Sequence, residues 1–458
     1  MITYQDFLKE PDKPAFVMRL ISNHKSSDMV KTALVADLYD ARQNKTINEF
    51  IQTIYTTGGL AVEDYTASNN RIASNFFNRL NTQRATYSLG NGITFMTPGV
   101  KDKLGQDFDT RLMQGGYYAL IHGLSFLFYN LDRVYVFKLT EFAPLWDEET
   151  GVLRAGVRYW RIDPHKPLQA VLYEEDGYTV FRASTGDQLQ IVQDKRSYRE
   201  KIRVSPAEGE PEVIGVENYG SLPVIPLWGS RLHQSTLVGF RQAIDSYDLI
   251  RSGFANDLTD CAQIYWILGN YGGMTQKDIA VFRDRLKFQH MAVADTDNGE
   301  ITPYTQDIPH AARQTFLDLI RKGIYEDFGA LDVSEFSSGQ RTATEIQAMY
   351  QPLDEQADDF EYQIIDAVQA LLRLIGVEDT PIFKRNRITN QLEQVQLVMM
   401  EAGVLDQETL LSKLPNITAD EIPDIMARKD AEAGGRFEMM GEEDDDVRET
   451  AAGDLAGL

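Results

Sequence analysis

Cysteine is almost missing from this 458-residue chain: Cys261 stands alone. It can close no intrachain disulfide and build no zinc site by itself, which fits a reducing interior and leaves redox catalysis without its groups. The chain has no Gly-Lys pair and so no G-x-x-x-x-G-K-[ST] phosphate loop, which excludes nucleotide hydrolysis by that device. Its six histidines, His24, His122, His165, His233, His290 and His310, never fall in H-E-x-x-H or another paired ligand spacing. No metal and no cofactor is expected. Long apolar runs are missing too: the most apolar stretch, residues 117–131, is 15 residues long and contains His122, Ser125 and Asn130, short of the ~20 residues a membrane helix needs. It reads as a buried helix or strand. The opening MITYQDFLKEPDKPAF lacks the basic start and apolar core of a signal peptide, so export is not expected and the cytoplasm is.

What the chain has in excess is acid. It carries 69 Asp and Glu against 45 Lys and Arg, a net charge of -24, which argues against nonspecific adhesion to phosphate backbones and against a DNA clamp. With 43% hydrophobic and 25% charged residues, it has the balance of a chain that buries a real core, long enough for about three domains.

Residues 1–85 read as helices, LVADLYDARQ and NEFIQTIYTT showing apolar positions at helical spacing, with Gly58-Gly59 breaking the second. From 131 to 227 the texture changes to short alternating runs, RVYVFKLTEF, LRAGVRYWRI, LQAVLYEE, YTVFRAS and EKIRVSP, separated by turns such as Glu175-Asp176-Gly177. These predict an antiparallel β region, which the paired prolines Pro223 and Pro226 end. A long helix over 236–262 follows, with one apolar stripe through Phe240, Ala243, Ile244, Tyr247, Ile250, Phe254, Leu258 and Cys261 and an acidic remainder. Next comes a small β-α-β-β insertion over 263–308, with a hairpin signal at Asn298-Gly299. Pro309 opens a second long helix with Ala312, Phe316, Leu319, Ile320 and Ile324 along one side. A polar loop, GALDVSEFSSGQRT, leads to two helices, TEIQAMY and DDFEYQIIDAVQALLRLIG, the second closing on Gly376. The last 22 residues hold eight acids and one Arg, the composition of a solvated, disordered tail.

Chemistry is hard to find. Asp295-Thr296-Asp297-Asn298-Gly299 resembles the start of a calcium loop, but its glycine falls one place early and the twelfth position holds Gln306, so it reads as a hairpin tip. Carboxylate pairs such as Glu174/Glu175 and Asp358/Asp359 are the material from which a soluble enzyme acting on nucleic acid or a small molecule would have to be built. In a chain this acidic, such pairs also arise by chance on solvated faces.

The order of parts is more informative than any motif. Asn69-Asn70-Arg71 with Asn75-Phe76 and Tyr87 to Asn91, residues 104–123, and Ala143-Pro144-Leu145-Trp146-Asp147 come first. Residues 218–227, Ile244-Asp245-Ser246-Tyr247-Asp248 and Ser252 to Asn256-Asp257 follow. Ser338-Gly339 to Tyr350, Pro352-Leu353-Asp354, and Phe383-Lys384-Arg385-Asn386 with Asn390 and Glu393 complete the series. In colinear order this resembles the portal protein, or head-to-tail connector, of tailed bacteriophages, in particular the branch with long non-contractile tails. The first 65 residues and the acidic tail have no counterpart in the resemblance.

The resemblance implies an α+β portal fold in a ring-shaped homo-oligomer, typically dodecameric, with no enzymatic activity. It implies a wing over 1–235 with a helical start and an antiparallel β region, stem helices over 236–262 and 309–327, and a clip over 263–308. A channel loop and wing helix would span 328–375, a crown 376–436, and the acidic tail 437–458; the Gln351-Pro352 break is a rival place for the loop. Double-stranded DNA would pass through the ring in packaging and ejection. The terminase large subunit and a head-completion adaptor would dock on it, beside major capsid and scaffold proteins, in the host cytoplasm during assembly and then in the virion, with no membrane involved.

A conduit must not stick, and acidic walls keep a duplex mobile. Asp245, Asp248, Asp257 and Asp260 on the first stem helix are therefore candidate channel-lining residues. Arg313, Arg321 and Lys322 are candidates for a sparse basic ring, pairing with neighbouring acids being the rival reading, and Ser337, Ser338, Gln340 and Arg341 are candidates on the loop. Tyr265, Trp266 and Tyr271 are candidate clip interface residues.

Overall fold

The computed structural model describes residues 2–55, 59–63, 68–183, 188–203, 212–261, 265–269, 275–278, 281, 300–304, 310–334, 343–387, 400, 406–414, 422 and 425–429. The chain forms two compact units, Met1–Asn386 and Arg387–Leu458. The elements of the first fit an α+β class.

Three capped helices start the first unit. Thr3 forms a capping box with Asp6 at the head of α1 (Tyr4–Lys9), Asp12 caps α2 (Lys13–Ser26), and Ser27 caps α3 (Asp28–Asp40); each side-chain oxygen accepts a backbone N–H that the helix leaves unpaired. The short helix α4 (Lys45–Asn48) is capped by Asn44. Beyond it the helical expectation for NEFIQTIYTT fails, because Thr53–Tyr55 is strand β1, paired antiparallel with β2 (Ala61–Glu63). The run Ile51, Thr53, Ile54, Thr56, Thr57 is β-branched; such side chains lose rotamer freedom in a helix and fit an extended chain.

The alternating runs do form strands. After α5 (Phe76–Leu89), β3 (Ile93–Thr94), α6 (Val100–Leu104) and α7 (Phe108–His122) come β4 (Leu124–Asn130), β5 (Arg133–Lys138), β6 (Phe142–Trp146), β7 (Leu153–Trp160), β8 (Gln169–Glu174), β9 (Gly177–Ala183) and β10 (Leu189–Arg196). β6 to β10 form a five-stranded antiparallel meander, on which Phe7, Phe16, Val17, Leu20 and Ile21 of the first helices pack. β11 (Arg199–Arg203) and β12 (Glu212–Glu217) pair separately. β13 (Val224–Trp228) is the proline-bearing strand; it lies at the edge of a β13-β4-β5 sheet, where a residue without an N–H is tolerated. The apolar stretch 117–131 therefore supplies both the end of α7 and β4. Gly115 and Gly116 let α7 approach closely on two sides, since a Cβ there would lie 2.9 Å from Leu127 and 2.9 Å from Phe360.

The two long helices are α8 (Leu237–Cys261) and α9 (His310–Phe328). β14 (Tyr265–Gly269) and β15 (Glu300–Tyr304), between them, pair antiparallel. α9 stops at Gly329, whose φ of +64° suits glycine, and Ala330 N donates to Tyr325 O at 2.9 Å, the closing bond of a left-handed helix cap. Gly376, at φ +70°, closes α10 (Ala343–Leu374) in the same way, with Val377 N donating to Leu372 O at 3.0 Å. The two helices expected around Gln351-Pro352 are this one helix, with Pro352 inside it. Tyr350, Leu353, Ala357, Phe360 and Ile364, all buried, carry its apolar stripe across the proline. β16 (Ile382–Phe383) then pairs with β3. In the second unit, α11 (Gln407–Lys413) is capped by Asp406.

Candidate functional site: the two long helices and their supports

α8 and α9 run antiparallel, in contact through Phe240 on Phe328 (ring centroids 4.8 Å apart), Phe254 on His310 (5.7 Å) and an Asp257–Arg313 ion pair. The apolar stripe read on α8 faces α9 at Phe240 and Phe254. The stripe read on α9 divides. Ile324 is buried and Ile320 half-buried against the core, whereas Phe316 is 48% and Leu319 65% exposed.

The acidic side of α8 does not form a wall. Asp248 is fully buried; its carboxylate accepts from Asn44 Nδ2 at 2.8 Å and from Ser74 N at 2.9 Å, and burial raises its pKa. Asp245 accepts from the hydroxyl of Tyr39 and, at 2.7 Å, from Thr46 Oγ1. The channel-lining expectation is thus corrected for these two: each binds α8 to the N-terminal helices. Asp257 holds Arg313. Asp260 lies on the α8 backbone, its side chain outside the described residues, as do Ser337, Ser338, Gln340 and Arg341 entirely.

The basic candidates take the rival course. Besides the Arg313–Asp257 pair, Arg321 Nη2 donates to both oxygens of Asp332 (3.0 and 2.7 Å) and to Ser334 Oγ (2.8 Å), and Lys322 lies 3.5 Å from Glu326. Tyr265 and Trp266 stand opposite Tyr304 and Pro303 in the β14–β15 ladder. Tyr271 and the Asn298-Gly299 turn are outside the described residues.

Periodicity did not reveal the ladder that seats α8. Asn70 N donates to Asn256 Oδ1 (2.5 Å), Ile72 N to Ser252 Oγ (3.0 Å) and Ser74 N to Asp248 Oδ1 (2.9 Å). Alternate residues of an extended chain are about 6.6 Å apart and every fourth residue of a helix about 6 Å, so the two backbones run in register. Two segments of the colinear series, at 69–75 and 252–257, are therefore each other's partners.

α5 contacts the chain that precedes segment 335–342 and the α10 helix that follows it. Gln83 exchanges two hydrogen bonds with Leu331 (3.0 and 3.1 Å), and buried Arg84 donates to Phe328 O at 2.8 Å beneath that ring, its pKa lowered by burial to about 10. On the other side Tyr87 Oη donates to Asp354 Oδ1 at 2.6 Å, and Arg385 bridges Asp354, Asp358 and Glu361. The carboxylate pairs considered for catalysis are engaged as well. Glu174 meets Lys195 and Glu175 meets Arg154, while Asp358 meets Arg385 and Asp359 accepts from Arg231 N.

Residues 19–435 match the family model described as phage portal protein, SPP1 Gp6-like. The chain belongs to that family. Among curated relatives, a portal protein of Clostridium phage phiCD119 is 25% identical over 385 residues, covering 76% of this chain and 82% of the relative. The portal protein of Bacillus phage SPP1 is 24% identical over 467 residues, covering 95% and 89%. Among solved structures, the neck of an empty GTA particle computed with C6 symmetry aligns at TM-score 0.46 and 8% identity, over 74% of this chain and 90% of that one. A chain from the neck of a native GTA particle computed with C12 symmetry aligns at 0.42 and 10%, over 75% and 90%. The portal family's members are structural proteins of phages. Among the described residues no helix is long and apolar enough to cross a membrane.

Proposed function

We propose that the chain is the portal subunit of a tailed phage. Copies close into a ring, dodecameric by family resemblance, at one capsid vertex, and double-stranded DNA passes through it in packaging and ejection. The family match over residues 19–435 carries this reading. The ring assembles in the host cytoplasm among scaffold and major capsid proteins and persists in the virion. Its clip receives the terminase large subunit and later the head-completion protein.

The net charge of -24 suits a wall along which a duplex slides. With Asp245, Asp248 and Asp257 engaged within the subunit, we assign the wall to exposed groups of α9: Asp318 and Glu326, with Lys322 as a sparse cation. Asp260 and the loop residues Ser337, Ser338, Gln340 and Arg341 remain proposed channel-lining residues. The alternative of a soluble enzyme has little to stand on once its carboxylate pairs are tied up in ion pairs and hydrogen bonds.

Native mass and negative-stain imaging of the purified chain test the proposal. Annular particles of about twelve copies with a central hole are expected. A strict monomer at tens of micromolar, in the presence or absence of scaffold protein, would overturn it.

A further inference from the structure

The β6–β10 meander carries opposite charge at its two ends. Its strands alternate in direction, so the β6–β7 and β8–β9 turns stand at one end and the β7–β8 and β9–β10 turns at the other. β7, Leu153–Trp160, is 8 residues long, which at about 3.4 Å per residue sets the two ends about 24 Å apart. The first end holds Asp147, Glu148 and Glu149 in one turn and Glu174, Glu175 and Asp176 at the other, against Arg154, Lys195 and Arg196. Arg154 pairs with Glu175, and Lys195 with Glu174 and Asp176. Asp147 accepts from Gln5 and Thr150 and Glu148 from Thr3, but among the described residues no cation lies within ion-pair distance of Asp147, Glu148 or Glu149.

The other end is basic. Lys25 lies with its Nζ 5.3 Å over the Tyr159 ring, the Arg158 guanidinium lies 4.4 Å from the Phe137 ring centre and 4.9 Å from that of Trp160, and Arg182 stands opposite Gln169. Arg161 and Lys166 lie in the β7–β8 turn, and Glu141 and Asp163 are the described acids beside this group. Among the described residues none of Lys25, Arg158, Lys166 and Arg182 has an acid within ion-pair distance, although the chain has 69 acids to 45 cations. A turn at each end also exposes an aliphatic side chain, Val152 at 49% on the acidic end and Ile162 at 79% on the basic one. Within one copy these ends cannot meet, because the sheet itself holds them apart. Chains of net charge -24 repel one another when they gather, so a ring of them needs a place where acid meets base. Complementary surfaces at opposite ends of one sheet are what a head-to-tail contact joins.

We propose that the basic end of the meander in one copy docks on the acidic end in the next, with Ile162 packed on the turn that holds Val152 and with Lys166 and Arg182 facing Glu148 and Glu149. The strands of the meander then run along the circumference of the ring. The proposal rests on the portal reading, and its tests separate the two. Lys166→Glu with Arg182→Glu reverses one end, and Glu148→Lys with Glu149→Lys reverses the other. All four side chains are exposed, so far-UV circular dichroism and the thermal midpoint of the monomer should not change. Each pair alone should raise the concentration at which rings form by about tenfold or more, and the four changes in one chain should bring it back to within about threefold of the wild type. Rings that form normally in either reversed variant would overturn the contact and leave the portal reading standing. Reversals that each weaken rings without rescuing one another would also overturn it, and would give the basic end to a different acidic partner, DNA or a second protein. A wild-type chain that never forms rings would sink both.

Discussion

The two long helices, α8 and α9, have similar amphipathic patterns, and they use their polar sides in opposite ways. On α8 the polar side is covered: Asp245, Asp248, Ser252 and Asn256 receive donors from the N-terminal helices and the extended chain at 70–74. On α9 it is open, with Asp318, Lys322 and Glu326 exposed. An acidic helix face thus has two fates. It is solvated unless another part of the chain brings N–H and O–H donors to it, and then it becomes part of the interior. The same difference separates the two helices: α8 is fixed to the body, and α9 presents charge.

The sharpest way to break this comparison is at Asp248. Asp248→Ala leaves Asn44 Nδ2 buried and Ser74 N half-buried without acceptors, and at about 1–3 kcal/mol for a buried group and less for the other the expected loss is about 3 kcal/mol. A urea titration measures it, and a loss under about 1 kcal/mol would mean that the ladder contributes little and that α8 is held by its apolar stripe alone.

A second effect belongs to the supporting body. His24 on α2 is 9% exposed, lies 3.0 Å through Nδ1 from Tyr159 Oη, and has its pKa lowered by burial to about 4. The unfolded chain takes up this proton near pH 6.5 and the folded chain only near 4, so the folded state binds fewer protons in between. The stability from a neutral His24 is therefore complete above about pH 6.5 and lost as pH falls toward 4, amounting to about 3 kcal/mol. The difference between the pH–stability curves of the wild type and His24→Gln isolates it. Parallel curves from pH 7 to 4 would refute it.

Much of this was legible in the sequence, and the limits are physical. Alternation identified strands such as β9, where buried residues alternate with half-buried or exposed ones, whereas β10 is mostly exposed and is held as the edge of the same sheet; Gly376 marked its helix end because only glycine sits easily at positive φ. The stripes on α8 and α9 were also legible. What covers the other face of α8 was not, because its partner lies 174 residues away at Ser74 and helical spacing says nothing about distant donors. Segments 69–75 and 252–257 stood out separately; only the fold shows that they hydrogen-bond to each other. Pro352 was read as a break because proline removes a backbone bond, but a continuous apolar stripe outweighed that local cost.

The smallest effect on folding is expected on α9. Asp318→Lys changes an exposed group with no buried contacts, so stability should move by less than about 0.5 kcal/mol and ring formation should persist. If Asp318 faces the channel, however, every copy contributes one cation to the same ring, and phosphates inside the bore are neutralised together. Retention of double-stranded DNA by the assembled ring should then rise at low salt and fall steeply as salt increases, with a slope of about 0.9 for each phosphate neutralised. Packaging should slow for the same reason, since the duplex would have to break those contacts at each step. Unchanged DNA retention and packaging in rings of normal size would place Asp318 on the outer surface and move the wall to another face of α9.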